Sequence, residues 1–394
     1  MRRTVSAPVV VGVDASNLRA GGGLTHLVEL LRAAEPRSAD VARVVVWGGS
    51  RSLDSLDDRP WLEKRNPTAL NNGLLRRSGW QRFALARAAR SAACSVLFVP
   101  GGTYAGGFRP VVTMSQNMLP FEAGELLRFG WSTTTLRLSA LRFAQSKSIR
   151  SADGVVFLTR YAADGVARVT GPLEGISAVI PHGINPRFRS APRVQRPIDT
   201  YSEAEPFRLL YVSIVNVYKH QWHVVDAVAA LRRAGLPVAL DLVGPAYAPA
   251  LARLERTMGL ADPAGEWVRY HGSVPYSDLH AMYARADVGV FASSCENLPI
   301  ILLETMAAGL PIACAKRGPM PEVLGDAGVY FDPERPDDIA RALRQLIQSP
   351  ELRATKAAAS FAAARRFTWE RCAADTFAFL ADVARRHQSP SRRE

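Results

Sequence analysis

Short apolar runs alternate with longer amphipathic stretches along the chain, and the alternation comes in two separate series. The first series of candidate strands covers residues 9–13, 41–47, 96–99, 111–114, 154–158 and 178–181. The second covers residues 209–212, 239–243, 268–271, 288–291, 311–315 and 329–331. Stretches with helical spacing lie between them, such as residues 222–234, 279–286 and 339–349. Uninterrupted apolar runs of this kind suit strands covered on both faces, and strands joined through helices run parallel. The pattern predicts an α/β chain with parallel sheets and helices on both faces. Residues 190–206 carry Pro192, Pro197 and Pro206 without periodicity, so they read as a linker between two doubly wound domains. A length of 394 residues suits that division. Two such domains facing a cleft would take a ligand at the carboxyl ends of their strands.

Composition narrows the function classes. Hydrophobic residues make up 48% of the chain and charged residues 22%, ordinary for a globular protein and unlike a disordered one. The four cysteines (Cys94, Cys295, Cys314 and Cys372) form no C-x-x-C pair, so neither a zinc site nor a disulfide framework is expected, and reduced thiols of the cytoplasm are the default. The apolar run at residues 9–13 is short and meets Asp14, which fits a first strand better than a signal peptide. The weakly charged stretch 298–315 contains Glu304, Gly309 and Pro311, so no spanning helix is expected and any membrane contact is peripheral. The net charge of +13 is uneven: residues 1–190 hold 25 basic against 13 acidic side chains, and residues 191–394 hold 24 against 23.

The segment from Ser293 to Gly309 is the most informative. It follows the candidate strand 288–291. Asn297 is a suitable helix cap and Pro299 suits a first helical turn, which would place Glu296 just before the helix and Glu304 two turns into it. Amides near Leu298, Pro299 and Ile300 would then face the strand ends, where a helix N-terminus favours phosphate or sugar oxygens. Two flanking carboxylates can accept hydrogen bonds from sugar hydroxyls. On spacing alone, a capped helix with an incidental glutamate explains the segment equally well.

In context, the chain resembles glycosyltransferase family 4, whose members are retaining and have the GT-B fold of two Rossmann-like domains facing a cleft. The resemblance rests on the two glutamates separated by seven residues, Glu296 and Glu304, followed by Ala307-Ala308-Gly309-Leu310-Pro311-Ile312. It extends to Arg317-Gly318-Pro319-Met320-Pro321-Glu322-Val323, to Gly325-Asp326-Ala327-Gly328, to Leu242-Val243-Gly244, to His271-Gly272-Ser273-Val274 and to Tyr283-Ala284-Arg285-Ala286-Asp287-Val288. These motifs cover most of the second half in order. The resemblance implies that Glu296 contacts donor sugar hydroxyls, that Glu304 holds the nucleotide ribose, and that Lys219 touches the donor diphosphate. Many members place an arginine five residues before that lysine; here the position is Ile214. Charge on the diphosphate would then rest on Lys219, backbone amides and His220 or Arg317. The resemblance further implies residues 1–190 as an acceptor-side domain, 191–206 as linker, 207–366 as the nucleotide-sugar domain, and 367–394 as a helix and tail crossing back to the first domain; independently of it, residues 388–394 read as a frayed tail.

In the first half, Gly22 and Gly23 lie in a glycine-rich loop that follows the first strand and opens a helix. The matching loop of the family closes over the donor diphosphate, whereas on its own the loop reads equally as a plain turn. Gln116 and Asn117 follow the strand 111–114, where many members carry a His or Asp near the reacting sugar. They could bond the sugars, or stabilise a turn. His182 reads as structural. Arg76, Arg77, Arg82, Arg87 and Arg90 form one acid-free run with Trp80, Phe83 and Leu85, and Arg128, Arg137, Arg142, Lys147 and Arg150 form a second with Phe129, Trp131 and Phe143. Such runs suit an anionic membrane surface, or a solvated face above a core stripe.

The expectation is a hexosyltransferase that moves a sugar from a nucleotide diphosphate sugar to a hydroxyl of a glycan or polyprenol-linked glycolipid. It would work without a metal, in the cytoplasm or on the inner face of the plasma membrane, in building bacterial cell-surface polysaccharide. Site candidates are Glu296, Lys219 and Asn117 for catalysis, Gly22, Gly23, Asn297, Leu298, Pro299 and Glu304 for the donor, and Gln116 for the acceptor. The family segments suggest guanosine-diphosphate mannose or deoxythymidine-diphosphate rhamnose. A non-catalytic nucleotide-sugar or polyanion-binding module on the same fold is the alternative. A nucleic-acid binder, which the basic pI would allow, has no recognised motif behind it.

Overall fold

Apolar runs become strands wherever both faces can be covered. In a computed structural model, residues 8–19 and 21–388 are described. Seven strands form the first sheet: β1 (Val9–Asp14), β2 (Val41–Trp47), β3 (Leu62–Arg65), β4 (Val96–Val99), β5 (Val111–Met114), β6 (Gly154–Phe157) and β7 (Ile176–Val179). Their order is β3-β2-β1-β4-β5-β6-β7, with every pairing parallel. Val11, Val44, Val45, Val46, Leu97 and Val112 at its centre are fully buried. Six strands form the second sheet: β8 (Phe207–Val212), β9 (Val238–Val243), β10 (Val268–Tyr270), β11 (Val288–Phe291), β12 (Ile312–Ala315) and β13 (Gly328–Phe331). Its order is β10-β9-β8-β11-β12-β13, again parallel throughout. Both sheets are therefore doubly wound, as the alternation predicts, and each reverses its strand order once: between β1 and β4, and between β8 and β11.

Two details differ from the sequence expectation. Strand β3 reads Leu-Glu-Lys-Arg, has no apolar run and stands at the edge of its sheet, half-buried, so hydrophobicity gives no sign of it. The last strand of the first sheet occupies Ile176–Val179 rather than residues 178–181, with alternate residues exposed, as suits the opposite edge.

The chain divides into two compact units. The first comprises the chain up to Phe121, Thr133–Gly183 and the residues from Thr368 onward. The second comprises Glu122–Ser132 and Ile184–Phe367. The helix Trp369–Gln388 packs against the helix Gly22–Arg32 within the first unit. Residues 389–394, the rest of the stretch read as frayed, lie outside the described residues. In the second unit the proline-bearing stretch is tied down. Arg353 is fully buried and donates to the Gln195 side chain at 3.0 Å and to the carbonyl of Arg196, while Arg193 pairs with Asp287 at 2.8 Å. No helix among the described residues is long and apolar enough to cross a membrane.

Candidate active site

The segments after β8 and β11 leave the second sheet where its strand order reverses, the place at which connections diverge and a ligand can reach the strand ends. Main-chain bonds stitch the two segments together. The amide of Ser294 donates to the carbonyl of Tyr218 at 2.9 Å. The buried hydroxyl of Tyr211 donates to the carbonyl of Lys219 at 2.8 Å. His220 takes the left-handed conformation, φ 52°, and opens the helix Gln221–Arg233.

With the chain turned in this way, Lys219 Nζ meets the carboxylate of Glu296, their side chains only 8% and 16% exposed. The ammonium also stands 5.1 Å from the ring centre of Tyr218 and 5.6 Å from that of Phe291. An ammonium has three donors, so the bond to Glu296 leaves two for further oxygens. The sequence reading also gives His220 or Arg317 a share of the diphosphate charge, and the structure places the two differently. His220 is buried and its Nε2 lies 3.0 Å from the Ser294 hydroxyl. Burial, helped by the charge of Arg128, pushes its pKa down to about 3, so the ring is neutral. Arg317 is exposed and pairs with Asp332 at 3.0 Å. Ile214 lends only its carbonyl, which accepts from Gln221 Nε2 at 2.9 Å.

Glu304 lies on the helix Ile300–Ala307 and is 1% exposed. The hydroxyl of Tyr276 donates to its Oε1 at 2.9 Å and that of Tyr283 to its Oε2 at 3.3 Å. Burial raises the carboxyl from 4.5 to about 7, against the opposing pull of the two phenols and of Arg187. Sequence reasoning missed both tyrosines as partners of Glu304. The only available signal was a pair of phenols flanking an apolar helix, which reads first as core.

The start of this helix also departs from expectation. Pro299 occupies the capping position with ψ 80°, no side chain caps the helix, and Ile300 is its first residue. Asn297 is therefore not the cap, and Glu304 sits one turn into the helix rather than two. The cause is local: the amide of Ile300 donates back to the carbonyl of Leu298 at 2.9 Å, so it is not free to face a ligand. Asn297 and Leu298 are buried beneath the turn.

In the first unit, Gly21 takes φ 74° ahead of the helix Gly22–Arg32. A Cβ on Gly23 would stand 3.0 Å from the Leu18 side chain and 3.3 Å from Gln116 Oε1, whereas one on Gly22 would meet nothing within 4 Å. The structure thus brings Gly23 and Gln116 together and leaves room above Gly22. Gln116 donates to the carbonyl of Pro100 at 3.1 Å. Asn117 Oδ1 accepts the amide of Leu119 at 3.0 Å, the turn-forming role. His182 is buried and stacks at 4.3 Å on His26 and 5.6 Å on Trp369. Burial keeps both imidazoles neutral, with His26 lowered to about 4, and this fits a packing role.

The family model described as "Glycosyl transferases group 1" matches residues 199–360. A GDP-mannose-dependent alpha-(1-6)-phosphatidylinositol dimannoside mannosyltransferase of Mycobacterium tuberculosis is 30% identical over 281 residues, 69% of this chain and 68% of that protein. The chain belongs to the group 1 glycosyltransferases. O-antigen chain mannosyltransferase B of Escherichia coli is 38% identical to this glycosyltransferase over 28% of the chain, a match spanning only 29% of that relative's own length. Among solved structures, HepE of Anabaena in complex with UDP and glucose superposes with a TM-score of 0.68 at 18% identity, covering 95% of this chain and 100% of that one. Sucrose-phosphate synthase of Thermosynechococcus elongatus gives 0.71 at 18% identity, covering 93% and 97%. At those identities the likeness is one of fold, and the fold is GT-B.

Proposed function

We propose that this glycosyltransferase moves a hexosyl group, with retention and without a metal, from a nucleotide diphosphate sugar to a hydroxyl of a glycan or polyprenol-linked glycolipid. The observation that carries this reading is the enclosed Lys219–Glu296 pair at the carboxyl ends of β8 and β11, with the buried Glu304 on the helix that follows. The two remaining donors of Lys219 suit diphosphate oxygens, and a compact point charge suits phosphate. Glu296 can accept from sugar hydroxyls while it holds the ammonium in place. Glu304 can accept from a ribose diol. In the proposed step the bond from the anomeric carbon to the diphosphate oxygen breaks. The acceptor oxygen bonds the same carbon from the same face, and its proton passes to the departing diphosphate. Lys219 stabilises the charge that develops there, and the fixed pair pays no reorganisation cost at that moment.

Guanosine-diphosphate mannose is the first donor to test, since the relatives with long matches are described as GDP-mannose-dependent. The purified protein should be stabilised by at least one of guanosine-diphosphate mannose, deoxythymidine-diphosphate rhamnose and UDP-glucose, because a ligand at about 100 times its Kd adds ~2.7 kcal/mol. It should release nucleotide from the same donor, and Glu296→Gln should abolish that release. A protein that no nucleotide sugar stabilises, and that turns none over, is not this enzyme.

The proposal includes work on cell-surface polysaccharide, from the cytoplasm and against the inner face of the plasma membrane. Its support is the basic surface of the first unit. On the helix Leu74–Phe83, Leu75 is 88% and Phe83 76% exposed, beside Arg76 and Arg82. On the helix Thr133–Ser151, Leu136 and Phe143 are exposed beside Arg137 and Arg142. Leu85 and Leu138 are buried, so part of each run is core, as the alternative reading holds. Exposed apolar side chains set among cations match an anionic bilayer. Leu75→Glu with Phe83→Glu should lower sedimentation with phosphatidylglycerol vesicles by about tenfold, with nucleotide binding unchanged. Equal sedimentation of variant and wild type would reduce this surface to an ordinary solvated face.

A further inference from the structure

A diphosphate at the carboxyl ends of β8 and β11 meets little positive charge. The segments that follow these strands carry one cation between them, Lys219: the chain has no other Lys or Arg between Arg208 and Arg232, and none between Arg285 and Lys316. That ammonium already faces the Glu296 carboxylate, so the pair has no net charge. His220 is neutral, and Arg317 is matched by Asp332. A diphosphate is negative at both phosphates, and the departing nucleotide gains further charge. A second cation within reach would stabilise both states.

Arg128 stands beside this connection. In the second unit, the segment Glu122–Ser132 contains the short helix Ala123–Leu127, which Arg128 ends. Its Nη1 and Nη2 donate to the two carboxylate oxygens of Glu334 at 3.1 and 2.7 Å. The carbonyl of Pro333, the preceding residue, lies 3.0 Å from His223 Nδ1, and the His223 ring stacks on that of His220 at 5.4 Å. On the other side, the ring of Phe129 lies 6.0 Å from that of Tyr247, whose amide donates to the carbonyl of Val215 at 2.9 Å. Arg128 and Phe129 therefore rest against neighbours of both ends of the stretch that carries Lys219. The guanidinium is held differently at its two ends. Nε donates to Glu125 at 2.8 Å, one turn back on the same helix, where the carboxylate side chain is 13% exposed. The Glu334 side chain is 39% exposed. A part-exposed ion pair contributes little, so the fork can leave Glu334 while Nε stays on Glu125. Phosphate oxygens accept the same fork through charge-assisted bonds.

We propose that Arg128 is a donor-binding residue that exchanges its fork from Glu334 to the diphosphate of a bound nucleotide sugar, with Glu125 as the fixed end. The inference rests on the reading of this chain as a nucleotide-sugar transferase with Lys219 at the diphosphate, and it gives that site its second cation. Glu334 is the placeholder: it matches the arginine until a diphosphate takes its place.

The test is calorimetric titration of the full chain with guanosine diphosphate and, separately, with inorganic pyrophosphate. Arg128→Gln should weaken guanosine diphosphate binding by about tenfold. Arg128→Lys, which keeps the charge without the fork, should weaken it less. Glu334→Gln should tighten it by about threefold, since the arginine no longer has to leave a carboxylate. The double variant should bind like Arg128→Gln alone, because Glu334 acts only through the arginine. Melting temperatures without ligand should stay close to wild type in every variant, which reports that each one folds. An ion pair that serves only the fold predicts that Arg128→Gln and Glu334→Gln weaken binding alike, and that result overturns the proposal. So does an unchanged affinity in Arg128→Gln, or a gain from Glu334→Gln that persists without the arginine. Pyrophosphate separates this inference from the donor reading. A wild type that binds pyrophosphate but not guanosine diphosphate counts against a guanosine donor, and the order of the variants toward pyrophosphate still decides for or against Arg128. A wild type that binds neither overturns the second cation together with the diphosphate site.

Discussion

Replacing Lys219 with methionine should reduce nucleotide-sugar turnover by about 10²–10³-fold, the usual cost of removing one preorganised group from a developing charge. The same change should destabilise the fold. Lys219 and Glu296 face each other almost fully enclosed, and the substitution leaves a carboxylate without its cation. Breaking such a pair from one side costs on the order of 3 kcal/mol. The two effects can be separated. Adding Glu296→Gln to Lys219→Met removes the stranded charge, so the double variant should regain most of the lost melting temperature. Turnover should stay as low as in the single variant, because neither the ammonium nor the carboxylate is present. A double variant that recovers activity with its stability would show that the pair serves folding alone. Intact turnover in Lys219→Met would remove the lysine from the proposed chemistry. Chemical denaturation with a steady-state assay on the same preparations reads both quantities.

Much of this site was legible in the sequence because its parts sit at positions that alternation fixes. Once β8 and β11 are read from their apolar runs, Lys219 and Glu296 each fall shortly after a strand, and adjacent parallel strands bring those ends together. Details governed by a single hydrogen bond were not legible. Asn297 followed by Pro299 has the composition of a helix start, yet one bond from the Ile300 amide to the Leu298 carbonyl moves the start past both. The charge state of His220 was hidden for a related reason. Residue type suggests a cation, whereas burial, helped by the charge of Arg128, keeps the ring neutral. Strand β3 escaped because an edge strand can be half-buried and charged.

Glu304→Gln should stabilise the protein while weakening its hold on nucleotide, and both effects should follow pH. The carboxyl rises from 4.5 to about 7 on folding, because burial outweighs the opposing pull of the two phenols and of Arg187. Between those values the folded chain keeps a proton that the unfolded chain has lost. Stability therefore falls as pH rises through this window and then levels above about 7. The full penalty above the window is on the order of 3 kcal/mol. Glutamine carries no charge, so the variant should melt several degrees higher at pH 8 and lose most of the slope between pH 5 and pH 7. Nucleotide binding should move the other way. A ribose diol donates to an ionised carboxylate, so wild-type affinity for guanosine diphosphate should strengthen as pH rises through about 7, and Glu304→Gln should flatten that dependence and weaken binding by about tenfold. Tyr276 supplies the internal control. It is 43% exposed, on a loop, and its hydroxyl occupies an oxygen that the ribose would take. Tyr276→Phe should therefore tighten nucleotide binding, whereas Tyr283, buried behind the carboxylate, should give no such gain when changed to Phe. Calorimetric titration across the same pH range decides among these outcomes, and an affinity that ignores pH in the wild type would take the ribose away from Glu304.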